Sequence, residues 1–344
     1  MSLILQDCNH AVLKNIAFTV QPGEWMVIAG PTGAGKTTLL KMIAGLIPVS
    51  SGKIWLFGQD ITQLPSHQRK IAMLFQNHAL FPYRNVQENI AFVLQKQHWP
   101  KVKIKARVEQ IAETVGCVHL LARYPETLSG GEQQRVALAQ ILACAPRVLL
   151  MDEPLAHLDA PTQETIKTEI QNMVQSLQIP VVYVTHHQAE AMSLGHRLGI
   201  LMNGRLLQLD SPKVIYQKPA SIPIAQFLGI PSINLVSGQV NQGYFQAQDW
   251  PAIQCPLNLK PGPTILGFRP EHIQVASSDT KFPLHHINLT AKVEKIEYYG
   301  HEQIFSLRCG AWLLRARFAY SMAAQSGTIV IDLDLSNAVW VSSS

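Results

Sequence analysis

The chain has 344 residues, which is about two domains of ordinary size and enough to bury a core without disulfide staples. Hydrophobic residues make up 47% and charged residues 15%, which excludes intrinsic disorder; the uncharged stretches 170–189 and 219–248 are broken by Gln, Asn, Ser, Pro and Gly, so no membrane-spanning helix is expected. The net charge of +5 is mild, and no basic stripe interleaved with aromatics marks a nucleic-acid surface.

The opening segment MSLILQDCNH carries Asp7 and no basic run, so no secretory leader is expected. Cys8, Cys117, Cys144, Cys255 and Cys309 are scattered, odd in number and without a C-x-x-C pair. They read as reduced thiols of a cytoplasmic protein, packed as small hydrophobes. The apolar run Met26–Ala29 predicts a buried parallel strand. It leads into Gly30-Pro31-Thr32-Gly33-Ala34-Gly35-Lys36-Thr37 and then the helical Thr38-Leu-Leu-Lys-Met-Ile. Glycines at this spacing let successive backbone N–H groups turn inward as an anion nest, and the helix N-terminus adds its positive end. Lys36 is placed to reach the β- and γ-phosphates, and the Thr37 hydroxyl to reach Mg²⁺. Nucleotide binding follows from this loop.

Leu128-Ser129-Gly130-Gly131-Glu132-Gln133-Gln134 opens a predicted helix running to Cys144. Ser129 and Glu132 have capping-box spacing, and a helix N-terminus fronted by Ser-Gly-Gly is a second anion site. Val148–Met151 predicts another buried strand, ending in the adjacent carboxylates Asp152 and Glu153 and then Pro154. Neighbours on a strand point to opposite sides, which would turn Asp152 to a metal and Glu153 to an attacking water. Ile166, Ile170, Met173, Val174 and Leu177 trace one face of a helix. Val181–Thr185 predicts a third buried strand, followed by His186. Leu198–Met202, Asn203-Gly204 and Arg205–Leu209 predict a β-hairpin. Alternating strands and helices imply an α/β layer with a mostly parallel sheet. From about residue 229 the pattern changes to short alternating segments punctuated by Pro and Gly, which predicts a small all-β barrel beyond a boundary near 229–235.

The ordered set Gly30–Thr37, Gln76, Leu128–Gln133, Asp152–Glu153, Leu158-Asp159 and His186 resembles the ATPase subunit of ATP-binding cassette (ABC) transporters over about residues 1–230. Ile265-Leu-Gly-Phe-Arg-Pro-Glu-His-Ile273 resembles the regulatory β domain of importer ATPases for sugars, metals, oxyanions and polyamines. Gly229-Ile-Pro-Ser-Ile-Asn234 is similar to the junction in carbohydrate and glycerol-phosphate importers. The resemblance implies a P-loop NTPase with a parallel-sheet core in 1–230, a helical subdomain at about 77–146, and an OB-like barrel in 231–344. It implies ATP held by Gly30, Pro31, Thr32, Gly33, Ala34, Gly35, Lys36, Thr37 and Thr38, with Ser129, Gly130, Gly131 and Asp159 meeting nucleotide across a homodimer. Thr37, Gln76 and Asp152 would serve Mg²⁺, and Glu153, His186 and Gln76 would be catalytic. The implied activity is ATP hydrolysis that powers import of a small solute, a carbohydrate or glycerol phosphate first, with iron, sulfate or polyamine as alternatives. A soluble ABC ATPase of DNA repair or translation is another reading, as is a non-hydrolysing regulatory binder, which Glu153 and His186 argue against. Implied partners are two integral-membrane permease subunits at the cytoplasmic face of the inner (plasma) membrane, supplied by a solute-binding protein. They would dock beside Gln76–Arg84, where Leu80-Phe81-Pro82 offers apolar grip.

Three features depart from the family pattern. Positions 6–10, Gln-Asp-Cys-Asn-His, hold no Phe, Tyr or Trp where an adenine-stacking aromatic is usual, so poor discrimination between ATP and GTP is expected. Ala156 stands where Ser is usual, and His187 follows His186 in place of Asp.

Overall fold

The computed structural model describes residues 2–77, 79–156, 158–256, 259–276, 286–319 and 327–342. They divide into two compact units, 1–212 and 213–344. In the first, β1 (Leu3–His10), β2 (Leu13–Val20), β4 (Ser51–Leu56) and β5 (Gln59–Asp60) form an antiparallel sheet in the order β2-β1-β4-β5. A second sheet holds β3 (Trp25–Ala29), β6 (Ile71–Leu74), β7 (Val148–Asp152), β8 (Val181–Thr185), β9 (Arg197–Met202) and β10 (Arg205–Asp210). Its order is β10-β9-β3-β8-β7-β6, and all pairs are parallel except the β9–β10 hairpin. β3, β7 and β8 are buried at every position, which explains their uninterrupted apolar runs.

The helix α1 (Lys36–Ala44) buries Leu39, Leu40, Met42 and Ile43 in a core shared by residues of both sheets. Its C-terminal end is held by Arg69, which is 3% exposed. The Arg69 guanidinium donates to the carbonyls of Met42 (3.0 Å), Ile43 (2.9 Å), Thr62 (2.7 Å) and Leu64 (2.8 Å). A buried cation is tolerated here because it meets carbonyls at the negative end of a helix. The helices α2 (Val86–Lys96), α3 (Lys101–Thr114) and α4 (Gly130–Leu142) occupy the segment expected to be helical. α5 (Ala160–Leu177) buries Ile166, Ile170, Met173 and Val174 as its periodicity predicts, but Leu177 lies outside that stripe and is 45% exposed. The helix stops there, with Gln178 in the left-handed region. α6 (Gln188–Leu194) links β8 to β9.

The second unit begins in α7 (Pro212–Gln217) and α8 (Ile222–Phe227). Among the described residues, ten strands follow as two antiparallel five-stranded sheets. One holds β11 (Asn234–Asn241), β12 (Tyr244–Gln246), β13 (Ile253–Gln254), β14 (Gly262–Phe268) and β20 (Val339–Ser342). The other holds β15 (Ile273–Val275), β16 (His286–Tyr298), β17 (Glu302–Cys309), β18 (Trp312–Ala319) and β19 (Thr328–Asp334). Val236, Phe245 and Leu266 of the first share one core with Leu289, Phe305 and Ile331 of the second. The division at 212/213 lies upstream of the sequence boundary near 229–235, and Arg269 shows why the two helices group with the strands. It is 3% exposed, lies 4.0 Å above the Tyr216 ring, and donates to the carbonyls of Tyr216 (3.1 Å), Ala225 (2.9 Å) and Leu228. One guanidinium thus caps the C-terminal ends of α7 and α8. Among the described residues, no helix is long and apolar enough to cross a membrane.

Candidate nucleotide site

Four adjacent strands deliver the candidate residues to one edge of the parallel sheet. The loop Gly30–Gly35 leaves the end of β3, His186 follows β8, Asp152 ends β7 with Glu153 next, and Gln76 lies two residues past β6. Ligands of open α/β sheets bind at this carboxyl edge. In the loop, Gly33 (φ 81°) and Gly35 (φ 102°) take backbone angles that L side chains disfavour. Pro31, Thr32, Gly33 and Thr37 face solvent, Thr38 is half-buried, and Ala34 and Lys36 are buried. The Lys36 ammonium donates to the carbonyls of Gly30 (2.9 Å) and Pro31 (3.1 Å) and lies 3.7 Å from Glu153 Oε1. Burial pulls its pKa below the ordinary lysine value, against the opposing pull of the Glu153 and Asp152 carboxylates.

The Thr37 hydroxyl donates to Asp152 Oδ1 at 3.0 Å. Burial raises the Asp152 pKa, with the Thr37 bond working the other way. Asp152 and Glu153 do face different partners, but strand alternation is not what separates them, because β7 ends at Asp152. Glu153 stands at φ 45°, and this left-handed step turns its side chain toward Lys36 and His186. Glu153 Oε2 lies 2.8 Å from His186 Nδ1, while the Glu153 N–H donates to the Val184 carbonyl at 3.1 Å. His186 is 40% exposed, and its ring centre lies 4.0 Å from that of His187 with the planes tilted by 37°. Lys36, Glu153 and His186 therefore form one contiguous chain of polar contacts. Gln76 is exposed on the same edge.

Ser129 caps α4 with the capping box expected. Its hydroxyl accepts from the Glu132 N–H (3.3 Å), and the Glu132 carboxylate accepts from the Ser129 N–H (2.8 Å). Gly130 and Gly131 pack close to α5 and the segment before it, so that an added Cβ would press on side-chain methyls. A Cβ would fall 3.1 Å from Leu158 Cδ2 in the first case and 2.9 Å from Thr162 Cγ2 in the second. Ser129, Gly131, Glu132, Pro161, Thr162 and Thr165 line a concavity of about 350 Å³. Asp159 is the exposed N-cap of α5 and makes no side-chain capping bond. His157 lies outside the described residues. Sequence reasoning missed Gln163, whose amide donates to the carbonyls of Leu155 and Leu158 (both 2.9 Å) and so ties α5 to the backbone at those two residues. It also missed Asn89, which is fully buried and ties the backbone of Phe81, Arg84 and Asn85. An Asn on a helix face that is otherwise apolar was the available signal.

At positions 6–10 no side chain offers an apolar ring. Cys8 is fully buried, with its thiol 3.2 Å from the Lys53 carbonyl, Asp7 sits in a bulge of β1 at φ 46°, and His10 Nδ1 lies 2.7 Å from the Pro48 carbonyl.

The chain matches a family model described as ABC transporter over residues 13–156. It is 39% identical over 324 residues to the molybdate/tungstate import ATP-binding protein WtpC of Pyrococcus horikoshii, covering 94% of this chain and 92% of that one. It is 36% identical over 328 residues to the sn-glycerol-3-phosphate import ATP-binding protein UgpC of Escherichia coli, covering 94% and 90%. Among solved structures it is similar to cbiO1 from Clostridium perfringens, described as part of the ABC transporter complex cbiONQ, with a TM-score of 0.58 and 27% identity over 62% of this chain and 90% of that one. With its phosphate loop, paired carboxylates and capped Ser-Gly-Gly helix, the chain belongs to the ATP-binding subunits of ABC transporters and is an ATPase.

Proposed function

We propose that two copies of the chain close around two ATP molecules, each held between Gly30–Thr37 of one copy and Ser129–Gly131 of the other. The observation that carries this reading is the division of the site. Lys36, Glu153 and His186 are in contact, whereas Ser129 is displayed on a separate concavity with the start of α5. Phosphoryl transfer needs positioning and charge neutralisation more than covalent help. Glu153 orients and polarises the attacking water, Lys36 steadies the β- and γ-phosphates, and His186 and the partner's Ser129 meet the γ-phosphate. The Thr37 hydroxyl and Asp152 carboxylate, 3.0 Å apart, are hard oxygen donors of the kind Mg²⁺ takes alongside phosphates, with Gln76 on the same sheet edge. Bound there, Mg²⁺ would supply charge neutralisation for the phosphates. Phosphate release by the purified chain, lost in Lys36→Ala, tests the reading; release unaffected by that change would reject it.

Hydrolysis would drive import through two permease subunits at the cytoplasmic face of the membrane, with a binding protein delivering solute. Phe81 and Tyr83 mark the docking surface. Tyr83 is 93% exposed, and Phe81 is braced by Phe92 at 4.6 Å and by the Asn89 clamp on its backbone. The relatives' names point to anionic solutes, sn-glycerol 3-phosphate or molybdate and tungstate. Their shared chemistry is a tetrahedral oxyanion, so the imported solute carries one. Uptake of labelled sn-glycerol 3-phosphate and tungstate by the co-purified complex in proteoliposomes decides between them, and uptake of neither overturns the assignment.

A further inference from the structure

His186 sits on a loop whose two ends are fastened from inside the protein. β8 ends at Thr185 and α6 begins at Gln188, leaving His186 and His187 between them. On the strand side, Thr185 is fully buried and its hydroxyl accepts from the His187 N–H at 2.9 Å. Behind the loop, Tyr183 of β8 is 1% exposed and donates its hydroxyl to Glu190 Oε2 of α6 at 2.8 Å; Glu190 is itself 9% exposed. The Tyr183 ring is backed by Trp25 of β3, the strand that carries the phosphate loop, at 6.1 Å between ring centres. Burial, with the Glu190 carboxylate beside it, holds the phenol far above its ordinary pKa, so it stays a neutral donor. A buried carboxylate bonded by a buried phenol is a costly arrangement for merely joining a short helix to a sheet, a task an apolar pair would also do.

We propose that Tyr183 and Glu190 are positioning residues for His186: their bond fixes the first turn of α6 against β8 and thereby sets where the His186 imidazole stands relative to Glu153 and the γ-phosphate. The proposal rests on the reading that His186 meets that phosphate. Small displacements of such a group cost rate and leave nucleotide binding in place, because the triphosphate is gripped by the phosphate loop and not by α6. Tyr183→Phe should lower kcat for ATP about 10- to 100-fold, as expected for misplacement on the order of 1 Å, with KM within about twofold. Tyr183→Phe also strands a buried carboxylate, so Tyr183→Phe/Glu190→Gln is the control. It removes the unpaired charge and should recover thermal stability without recovering kcat. Recovery of kcat together with stability would overturn the proposal, since a structural brace alone would then suffice. The third comparison uses His186→Ala. In that background Tyr183→Phe should add no further loss, because residues acting as a unit are non-additive. A full multiplicative loss there would refute positioning through His186, whereas wild-type turnover in His186→Ala itself would refute the reading beneath the proposal.

Discussion

Replacing Val12 by Tyr should convert a nucleotide site that reads phosphates into one that also reads the base. The β1–β2 turn, His10-Ala11-Val12-Leu13, lies directly against the phosphate loop. The Gly204 N–H donates to the Ala34 carbonyl at 3.1 Å, and a Cβ on Gly204 would fall only 1.6 Å from the Val12 carbonyl oxygen. Leu13 Cδ2 would lie 2.9 Å from a Cβ on Gly35. Val12 is 55% exposed at the tip of this turn, so a ring there meets solvent and bound base, not the core. Cys8, by contrast, is fully buried, and a tyrosine in its place would have to enter the core. Base–aromatic stacking is worth about 1–3 kcal/mol, so Val12→Tyr should tighten ATP binding about 5- to 150-fold. The backbone N–H groups, Lys36 and Thr37 act on phosphates alone, so the wild type should prefer ATP over GTP by less than about twentyfold, a difference of about 1.8 kcal/mol. Isothermal titration of ATP and GTP into both proteins measures this. A larger wild-type preference that Val12→Tyr and His10→Ala both leave unchanged would show that some other group holds the base.

Lys36→Ala should lose ATP affinity, and Ser129→Arg should keep binding but block hydrolysis; mixing the two should restore part of the phosphate release, and no activity in any mixture would contradict the shared site. Asp152→Asn should stabilise the nucleotide-free protein at pH 7 while abolishing turnover. Burial raises the folded-state pKa of Asp152 above its unfolded value of about 3.9, so its contribution to stability is present in acid and is lost as pH rises through the folded pKa. The stability gap between wild type and variant, measured by urea titration, should therefore open as pH rises above the unfolded-state value of about 3.9; a gap independent of pH would refute the assignment. A chain ending after Pro212 should fold and bind ATP, whereas one ending at 235 keeps α7 and α8 without Arg269, whose bonds cap their C-terminal carbonyls, and should aggregate or unfold at lower temperature.

Much of the architecture was legible because buried parallel strands are written as unbroken apolar runs. Met26–Ala29, Val148–Met151 and Val181–Thr185 differ from the observed strands by at most one residue at an end. The phosphate loop and the capping box of α4 were legible for a related reason, since both are local chemistry written in consecutive residues. What escaped depended on long-range contacts or on local backbone angles. The left-handed φ of Glu153 turns it to Lys36 and His186, and no periodicity argument contains that angle. The placement of α7 and α8 depends on Arg269, more than 40 residues downstream of Ala225. The Tyr183–Glu190 bond joins a strand to a helix across the loop that carries His186, and in sequence the tyrosine looks like one more apolar strand residue.

The central claim is that Glu153 polarises the attacking water in a site closed by a second copy of the chain. Glu153→Gln keeps the side chain's shape and removes its charge, and a general base typically contributes about 10²–10⁴-fold in rate. Phosphate release by this variant, measured beside its size in solution with and without ATP and Mg²⁺, tests the claim most directly. Turnover should fall by about that factor, and an ATP-dependent dimer should persist. Turnover above about a tenth of wild type, or a monomer that binds ATP without dimerising, would contradict it.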